Sequence, residues 1–410
     1  MCMSEGFEML IEFTFENFKC YRGETTLQMT AAPIGEHAET LIPGPGKKGI
    51  LPVAAIYGPN GGGKSSVLQA LTCLERLVTM PYLVLRARLS KTPRVECRPY
   101  AFEAESRSEA TTFCVIFQVG DYTYRYILSV LDGEVVEEYL HRRKAGRGAE
   151  ATLFERADGA VELGSSLRRK GVNTDVDSMM PYLSFLAINY DIEAVEEAFG
   201  WFLGCQVLDY SESSFEDYFM EPRGDDERQL IVRMLNAMDI DITGIRYQRD
   251  DEGLEIYLTH ESSDGTELEL GEESNGTRKL LNLVPPFLRA LENGCLVISD
   301  ELDAKLHPKL LRYLIMLFTN REINRNGAQL VFTSHDMTTL NSSVFRRDEI
   351  WFAAKTPEGP STLYSLSDIA DIDGKRIRTQ NAYDRQYLAG RYGADPYLRS
   401  MLEWGGGDEQ

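Results

Sequence analysis

The first part of the chain shows the spacing of hydrophobic and polar residues that is typical of strands. Apolar and polar residues alternate over 10–18, which predicts a strand with one buried face. A similar pattern over 25–30 predicts a second strand, and the continuously apolar run 51–57, bounded by turn residues, predicts a buried one. Apolar residues recur at helical spacing over 64–77, so we expect a helix there.

The rest of the chain mixes strand and helix patterns. Further predicted elements are strands within 111–138, helices over 191–203 and 227–238, and a hairpin over 254–270. A helix over 277–283 is expected to end before Pro285 and Pro286, because proline lacks the N–H of a helix interior. Helix and strand patterns then alternate to about residue 355, which indicates an α/β fold.

A glycine-rich segment carries the strongest chemical signal. Residues 58–65 match the pattern GxxxxGK[ST] between a predicted strand and a predicted helix. The glycines let backbone N–H groups surround phosphates, and the helix N-terminus adds its positive end. Lys64 would reach the β- and γ-phosphates of ATP, and the Ser65 hydroxyl would ligate Mg²⁺. An ordinary glycine turn is the disfavoured alternative. The candidate ATP-binding residues of this loop are Asn60, Gly61, Gly62, Gly63, Lys64, Ser65 and Ser66.

A second motif is the apolar strand 295–299, which is followed by two acids. Asp300 would hold Mg²⁺ through water, and Glu301 would polarise the attacking water. Such a strand end is common alone, but beside a phosphate-binding loop it indicates ATP hydrolysis. Because 236 residues separate Lys64 from Asp300, an ATPase with an inserted lobe is favoured over a compact RecA- or GTPase-type enzyme.

Two further segments fit the same site. Ser274 and Gly276 stand at the start of a predicted helix shortly before Asp300, and such a helix start can donate to a phosphate. The apolar strand 330–334 leads into His335. A lone histidine is more often a core or capping residue. After a third strand, however, His335 becomes a candidate catalytic residue beside Glu301.

Composition narrows the class of protein. The 410 residues carry 43 Lys and Arg against 64 Asp and Glu, a net charge of −21, which argues against a surface that coats DNA or anionic membrane as a whole. The seven cysteines form no CxxC pair, so free thiols in a reducing compartment are expected rather than disulfides or structural zinc. Since no apolar run approaches ~18 residues and no leader precedes the fold, we expect a cytoplasmic protein without a membrane partner.

The order of these motifs resembles that of ABC-type ATPase heads of the SMC/RecF-like branch. Asn-Phe-Lys at 17–19 resembles the N-terminal strand motif of that branch, 273–277 its signature, and 300–308 its Walker B motif and D-loop. The resemblance adds Lys19 and Asp303, together with the signature residues, to the candidate nucleotide contacts. It implies a P-loop α/β lobe with a mixed sheet and an antiparallel β-subdomain, and an inserted, mainly helical lobe. We assign 1–165 and 285–410 to the first lobe and 166–284 to the insert.

More narrowly, three motifs resemble those of bacterial ATPases in abortive-infection and anti-phage systems, such as Septu, PARIS and the OLD-like ATPase heads. They are Glu-Ser-x-Gly-Thr-Arg, Asp-Glu-Leu-Asp-x-x-Leu-His-Pro and, at 387–394, Tyr-Leu-Ala-Gly-Arg-Tyr-Gly-Ala. The resemblance implies that two copies enclose ATP, with Ser274 and Gly276 of one copy meeting the γ-phosphate held by Lys64 of the other. It also implies a sensor or scaffold that controls a separately encoded nuclease or toxin in response to a trigger such as a phage protein.

Departures from these families sharpen the interpretation. The insert is too short for the long coiled coil of SMC proteins, and the residues after His335 are too few for the nuclease domain of OLD proteins. The nearest Q-loop candidate is Gln118, for which a strand residue is the favoured interpretation. A RecF/SMC-like DNA-repair ATPase is the alternative function. The basic islands 86–98 and 139–147 are interpreted as solvated charged faces, with a contact to nucleic acid or a partner as the less favoured alternative. A transporter subunit is disfavoured by the altered signature.

Overall fold

The computed structural model of the protein describes residues 7–46, 48–87, 95–168, 170–208, 224–249, 254–262, 264–357, 359–369 and 382–394. Its strands are β1 (Glu8–Glu16), β2 (Thr25–Gln28), β3 (Ile42–Pro43), β4 (Gly49–Ile50), β5 (Val53–Tyr57), β6 (Thr111–Val119), β7 (Tyr122–Leu131), β8 (Glu134–Lys144), β9 (Ala151–Ala157), β10 (Ala160–Leu163), β11 (Gln206–Leu208), β12 (Ile242–Arg249), β13 (Leu254–His260), β14 (Glu267–Glu269), β15 (Leu296–Ser299), β16 (Gln329–Thr333), β17 (Ile350–Lys355) and β18 (Ser361–Ser365). Its α-helices are α1 (Lys64–Ala87), α2 (Ser165–Arg168), α3 (Tyr182–Asn189), α4 (Glu193–Gly204), α5 (Asp225–Ala237), α6 (Asn275–Asn293), α7 (Pro308–Thr319) and α8 (Tyr383–Leu388).

A six-stranded sheet lies at the centre of the fold, with the strand order β11-β15-β16-β5-β17-β18. All neighbours pair in parallel except β17 and β18. Ala54 and Ile56 of β5 belong to one hydrophobic core, and Val53, Ala55 and Tyr57 belong to the other. Because both faces of the strand are covered, the run 51–57 is continuously apolar instead of alternating.

One face of the central sheet is covered by α1, against which α3 and α4 pack. The predicted helix over 64–77 is confirmed, and it continues ten residues further, to Ala87. By length and hydropathy α1 would also suit a membrane span, the one such helix in the described part of the chain. Ten of its residues are buried inside the protein, however, which is the character of a core helix.

A seven-stranded antiparallel sheet adjoins the same core, in the order β10-β9-β8-β7-β6-β1-β2. The strand predicted over 10–18 is present as Glu8–Glu16, two residues earlier, and its alternation is seen in the buried Phe13 and Phe15. Phe13 lies opposite Leu27 of β2 and Val115 of β6. The mixed sheet and the antiparallel β-subdomain confirm the predicted α/β class.

The other face of the central sheet is covered by α6 and α7, whose Phe287 and Phe318 rings meet edge to face at 5.1 Å. The prediction that a helix ends before Pro285 and Pro286 is wrong, since α6 runs through both prolines to Asn293. Each proline removes one backbone hydrogen bond. Both prolines and the following Phe287 are buried, so core packing offsets that loss.

The contacts of the predicted insert, 166–284, divide it into two parts. Helices α3 and α4 pack on α1, and β11 extends the central sheet beside β15. Helix α5 and the three-stranded sheet β12–β13–β14 instead form a layer with α6. These contacts associate 182–208 with the central sheet, and the domain boundaries themselves stay a prediction.

Candidate nucleotide-binding site

Parallel pairing brings three chain segments to one edge of the central sheet. Strand β16 lies between β15 and β5, with Thr333 opposite Ile56 and Phe332 opposite Ser299. The Ser334 N–H donates to the Ile56 carbonyl at 3.1 Å. Because parallel strands end at the same edge, the glycine loop, the strand-end acids and the histidine segment meet there despite their separation along the chain.

The glycine loop needs its glycines for both space and conformation. A Cβ atom on Gly58 would lie 2.1 Å from the Ala353 carbonyl oxygen of β17, and one on Gly62 would lie 2.6 Å from the same atom. Gly61 and Gly63 have φ angles of +73° and +106°, a region that side chains disfavour. Gly62 is buried. The loop is therefore a backbone cradle closed on one side by β17.

Lys64 begins α1 and is 6% exposed. Its Nζ donates to the carbonyl oxygens of Gly58 at 2.9 Å and Pro59 at 3.1 Å. Burial lowers the pKa of Lys64, and the carboxylates of Asp300, Glu301 and Asp303 oppose that shift. The Lys64 ammonium group thus lies inside the glycine loop, where it is attracted electrostatically by the strand-end carboxylates.

The turn after β1 lines the other side of the loop. The Tyr21 hydroxyl donates to the Gly63 carbonyl at 3.3 Å, and the Cys20 thiol donates to the Ser66 hydroxyl at the same distance. Lys19 has a φ angle of +51°, and its Nζ donates to Gln69 Oε1 of α1 at 2.7 Å. The structure therefore brings Lys19 to the helix of the phosphate-binding loop, and its contact with the nucleotide stays a prediction. The contacts from Cys20 and Tyr21 were not predicted.

Thr333 organises the two strand-end acids. Its hydroxyl donates to Asp300 Oδ1 and accepts from the Glu301 backbone N–H at 2.8 Å. Glu301 has a φ angle of +46° and an exposed side chain, so its carboxylate points away from the core. Sequence reasoning missed Thr333, which is fully buried at the end of β16. No local sequence pattern marks it, because its place beside the end of β15 comes from the pairing of strands that are distant in the chain.

Asp303 links the loop 300–307, which carries the strand-end acids and is called the acid loop, to His335 after β16. Its Oδ2 accepts from the His335 backbone N–H at 3.1 Å, and the His335 side chain is exposed. Asp303 Oδ1 is buried, and the residues that the structure describes give it no hydrogen-bond partner. This oxygen can accept a hydrogen bond from water on a cation that is bound beside the phosphates. The unpaired oxygen and the neighbouring backbone N–H groups are therefore compatible with a bound phosphate and its hydrated cation.

No group of three or more His, Cys, Asp or Glu within the described ranges could hold a metal ion by itself. Mg²⁺ characteristically takes one or two protein ligands and completes its shell with phosphate and water. Ser65, half-buried at the start of α1, and Asp300, half-buried after β15, are donors of that kind. If bound, the ion would neutralise phosphate charge.

The predicted signature lies at the N-terminus of α6. Ser274 is exposed, and its hydroxyl accepts from the Thr277 backbone N–H at 3.1 Å, capping the helix. A Cβ atom on Gly276 would stand 3.4 Å from the Lys305 carbonyl of the acid loop. The signature thus lies against the acid loop of its own chain while Ser274 faces outward.

Lys279, one turn into α6, was also missed from the sequence. It is 7% exposed, and its Nζ donates to the Glu301 carbonyl at 2.6 Å. Burial lowers the pKa of this lysine to about 8, and nearby Asp303 and Glu301 oppose the shift. Lys279 shares its helix face with the buried Leu283 and Pro286, and that spacing was the available signal. The lysine connects the signature helix to the strand-end acids.

Gln118 is not part of this site. It lies on β6 of the antiparallel sheet, and its Nε2 donates to the Gly120 carbonyl at 2.9 Å. This agrees with the interpretation of Gln118 as a strand residue. The basic island 139–147 lies largely on β8, where Arg142 packs over the Tyr122 ring at 4.6 Å, and the island 86–98 falls partly outside the described residues.

The C-terminal motif at 387–394 packs against side chains of β17 and β18. The rings of Tyr387 and Tyr392 lie 5.5 Å and 5.3 Å from that of Phe352, and the Tyr364 hydroxyl donates to the Tyr392 carbonyl at 2.5 Å. Strand β17 also supplies the Ala353 carbonyl that closes the glycine loop. The motif therefore packs against the strand that borders the loop.

The strand order, the glycine cradle and the strand-end acids define a P-loop ATPase fold. A family model described as "AAA domain, putative AbiEii toxin, Type IV TA system" matches residues 53–341. This match covers more than half of the chain, so the chain belongs to that family. The predicted recognition of an SMC/ABC-like ATPase head is confirmed at this level.

Solved structures give more distant comparisons. The chain is similar to the SMC head domain from Thermotoga maritima, with 13% identity over 87% of this chain and 98% of that chain and a TM-score of 0.39. It is also similar to the Smc head domain with an extended coiled coil, bound to the C-terminal domain of ScpA, from Pyrococcus furiosus, with 12% identity over 87% and 96% of the chains and a TM-score of 0.39. A search of the curated proteins found no match.

Proposed function

We propose that this protein is an ATP-hydrolysing sensor or scaffold of bacterial anti-phage defence that controls a separately encoded nuclease or toxin in the cytoplasm. The observation that carries the proposal is the family match over 53–341, whose description reads "putative AbiEii toxin, Type IV TA system". The matched range includes the glycine loop, the signature and the strand-end acids. ATP binding and hydrolysis at such a site can shift the equilibrium between separate and assembled chains.

Each candidate residue has a proposed part in this activity. The loop 60–66 and Lys64 bind the phosphates of ATP, with Lys19 beside them. Ser65 and Asp300 hold Mg²⁺, and Glu301 orients and polarises the attacking water. Asp303 accepts a hydrogen bond from the His335 N–H. This bond holds both side chains beside the γ-phosphate.

The site is proposed to be completed by a second copy of the chain. Ser274 is exposed, and its hydroxyl already caps α6. The helix N-terminus therefore presents further N–H groups outward, where a phosphate held by another copy can accept them. Ser274 and Gly276 of one copy would meet ATP held by Lys64 of the other, so ATP acts as a latch between copies.

Co-purification tests the defence role. Tagged Glu301→Gln protein, isolated from its native cells with and without ATP, is expected to carry a stoichiometric protein partner whose retention depends on nucleotide. Lys64→Met protein is the matched control and should show no nucleotide dependence. Recovery of DNA without a protein partner, together with salt-sensitive stimulation of turnover by DNA, would overturn the proposal in favour of the repair ATPase.

Lys64→Met is also expected to weaken ATP binding about 100-fold, because the charge-assisted contact to the phosphates is lost. Titration calorimetry with ATP and Mg²⁺ checks this. Lys309→Met, which removes an exposed lysine at the start of α7, provides the control and should leave the affinity unchanged. Equal affinities of the Lys64 variant and the unmodified chain would contradict the placement of ATP in the cradle.

Lys279→Met is expected to lower kcat about 10- to 100-fold while leaving ATP affinity nearly unchanged. The Glu301 carbonyl loses its 2.6 Å donor, and the backbone that aims the Glu301 carboxylate is freed. Steady-state kinetics together with ATP titration separate the two quantities. Lys279→Arg, which keeps a donor, should recover part of kcat. A parallel fall in kcat, affinity and melting temperature would instead indicate a purely structural role.

A further inference from the structure

Two cysteines outside the nucleotide site form a close pair. Cys73 lies on α1 and is 6% exposed, whereas Cys97, in the segment that leads to the antiparallel sheet, is half-buried. Their Sγ atoms lie 3.0 Å apart, and both thiols are free. A disulfide requires sulfurs about 2 Å apart, so roughly a 1 Å shift would join them.

The two thiols differ in access to solvent. Cys97 lines a cleft of about 230 Å³ together with Arg98, Arg107 and Asp132. Cys73 is enclosed, and its thiol also points toward the Glu96 carbonyl at 3.9 Å. The hydrogen bond with Cys97 and burial raise the pKa of Cys73, whereas the charges of Lys19 and Arg76 oppose the rise. An oxidant from solvent therefore meets Cys97 first, and Cys73 is placed to react with the product.

We propose that Cys73 and Cys97 form a redox modification site in which hydrogen peroxide closes an intramolecular disulfide. The Cys97 thiolate attacks the peroxide, the O–O bond breaks, and the sulfenic acid of Cys97 forms with release of water after proton uptake. The Cys73 sulfur then attacks the Cys97 sulfur, the S–O bond breaks, and a second water leaves with the Cys73 proton. Overall, two thiols lose two electrons and hydrogen peroxide becomes two waters.

The disulfide would fasten the phosphate-loop helix to the turn that carries Lys19. The Arg98 carbonyl, next to Cys97, accepts the Lys19 backbone N–H at 2.8 Å. Lys19 Nζ in turn contacts Gln69, one helical turn before Cys73 on α1. Oxidation therefore restrains Lys19 beside the site where ATP is proposed to bind, and this regulatory part of the inference rests on the proposed function.

Peptide mapping of the full chain tests the bond directly. After treatment with hydrogen peroxide, non-reducing trypsin digestion should yield the peptide 65–76 joined to 95–107, with a loss of about 2 Da relative to the separate peptides. Dithiothreitol should restore both. Cys97→Ser should abolish the joined peptide, and Cys114→Ser, which alters a half-buried cysteine on β6, should retain it. Over-oxidised Cys97 without a link to Cys73, or a link between two chains, would overturn the proposal.

ATP affinity before and after peroxide tests the regulatory part separately. The affinity should change in the unmodified chain and stay constant in Cys97→Ser. If the joined peptide forms while ATP affinity is unaltered, the link to the nucleotide site is wrong and the disulfide stands. If the joined peptide forms in a chain that binds no ATP at all, the proposed function fails and the redox site does not.

Discussion

Replacing Glu301 by glutamine is expected to lower ATP turnover at least about 100-fold, the usual range for loss of a positioned general base. Glutamine keeps the size of the side chain and can still orient water, but it cannot accept a proton. ATP should remain bound, since the cradle and Lys64 are untouched. The variant should therefore accumulate as an ATP-bound dimer or larger assembly. Phosphate release and light scattering with size-exclusion chromatography measure the two effects.

The matched control is Glu322→Gln, which changes an exposed glutamate between α7 and β16, at the opposite edge of the central sheet. It should hydrolyse ATP at the rate of the unmodified chain. Normal turnover by the Glu301 variant would remove Glu301 from the catalytic role. Loss of turnover without any ATP-dependent assembly would keep Glu301 as a catalytic residue but refute the latch.

Ser274→Arg is expected to abolish assembly and to lower turnover about 100-fold, while each separate chain still binds ATP. Ser274 is exposed, so an arginine fits the isolated chain but would stand where the phosphate of a second copy is proposed to lie. Titration calorimetry and sedimentation velocity in ATP check binding and assembly. Loss of nucleotide binding by the separate chains would contradict the role between copies.

Two controls separate this effect from local damage. Ser274→Ala removes the cap of α6, worth about 1 kcal/mol, and the hydroxyl proposed to meet ATP, without adding bulk, so it should weaken assembly without abolishing it. Ser165→Arg places the same cation at another exposed helix start, in α2. This second variant should assemble with ATP as the unmodified chain does. Failure of Ser165→Arg to assemble would point to a general effect of charge.

Local chemistry explains which parts of the site could be predicted from sequence. The strand, glycine loop and helix around Lys64 follow one another in the chain, and their residue types are dictated by backbone geometry that the phosphates require. Asp300 and Glu301 could be placed for the same reason, because a strand end carries them. The glycine loop and the two acids lie at the same edge because the strands that precede them are parallel.

Other parts depend on packing between distant segments. Thr333 reaches Asp300 because β16 lies beside β15, and Lys279 reaches Glu301 because α6 crosses beneath the acid loop. Neither neighbour relation is encoded in a local pattern. The continuation of α6 through Pro285 and Pro286 has a similar cause, since the burial of both prolines outweighs a propensity that argued for a helix end.

The contact between Cys73 and Cys97 likewise depends on packing between distant segments and could not be predicted from the sequence. Irregular spacing predicts free thiols, and both cysteines of this pair are free in the structure. Their approach to 3.0 Å arises because the segment before β6 returns alongside α1, which the sequence alone does not reveal.

Two copies are proposed to share each ATP site, and mixing two impaired variants tests this sharing most directly. Lys64→Met lacks the proposed phosphate contact, and Ser274→Arg blocks the signature, so each alone should hydrolyse ATP far more slowly than the unmodified chain. In a mixed dimer, the intact Lys64 of one copy faces the intact Ser274 of the other. An equal mixture should therefore recover up to about a quarter of normal phosphate release, because half of the dimers are mixed and each carries one intact site. Phosphate release no greater than that of the separate variants would contradict a site shared between copies.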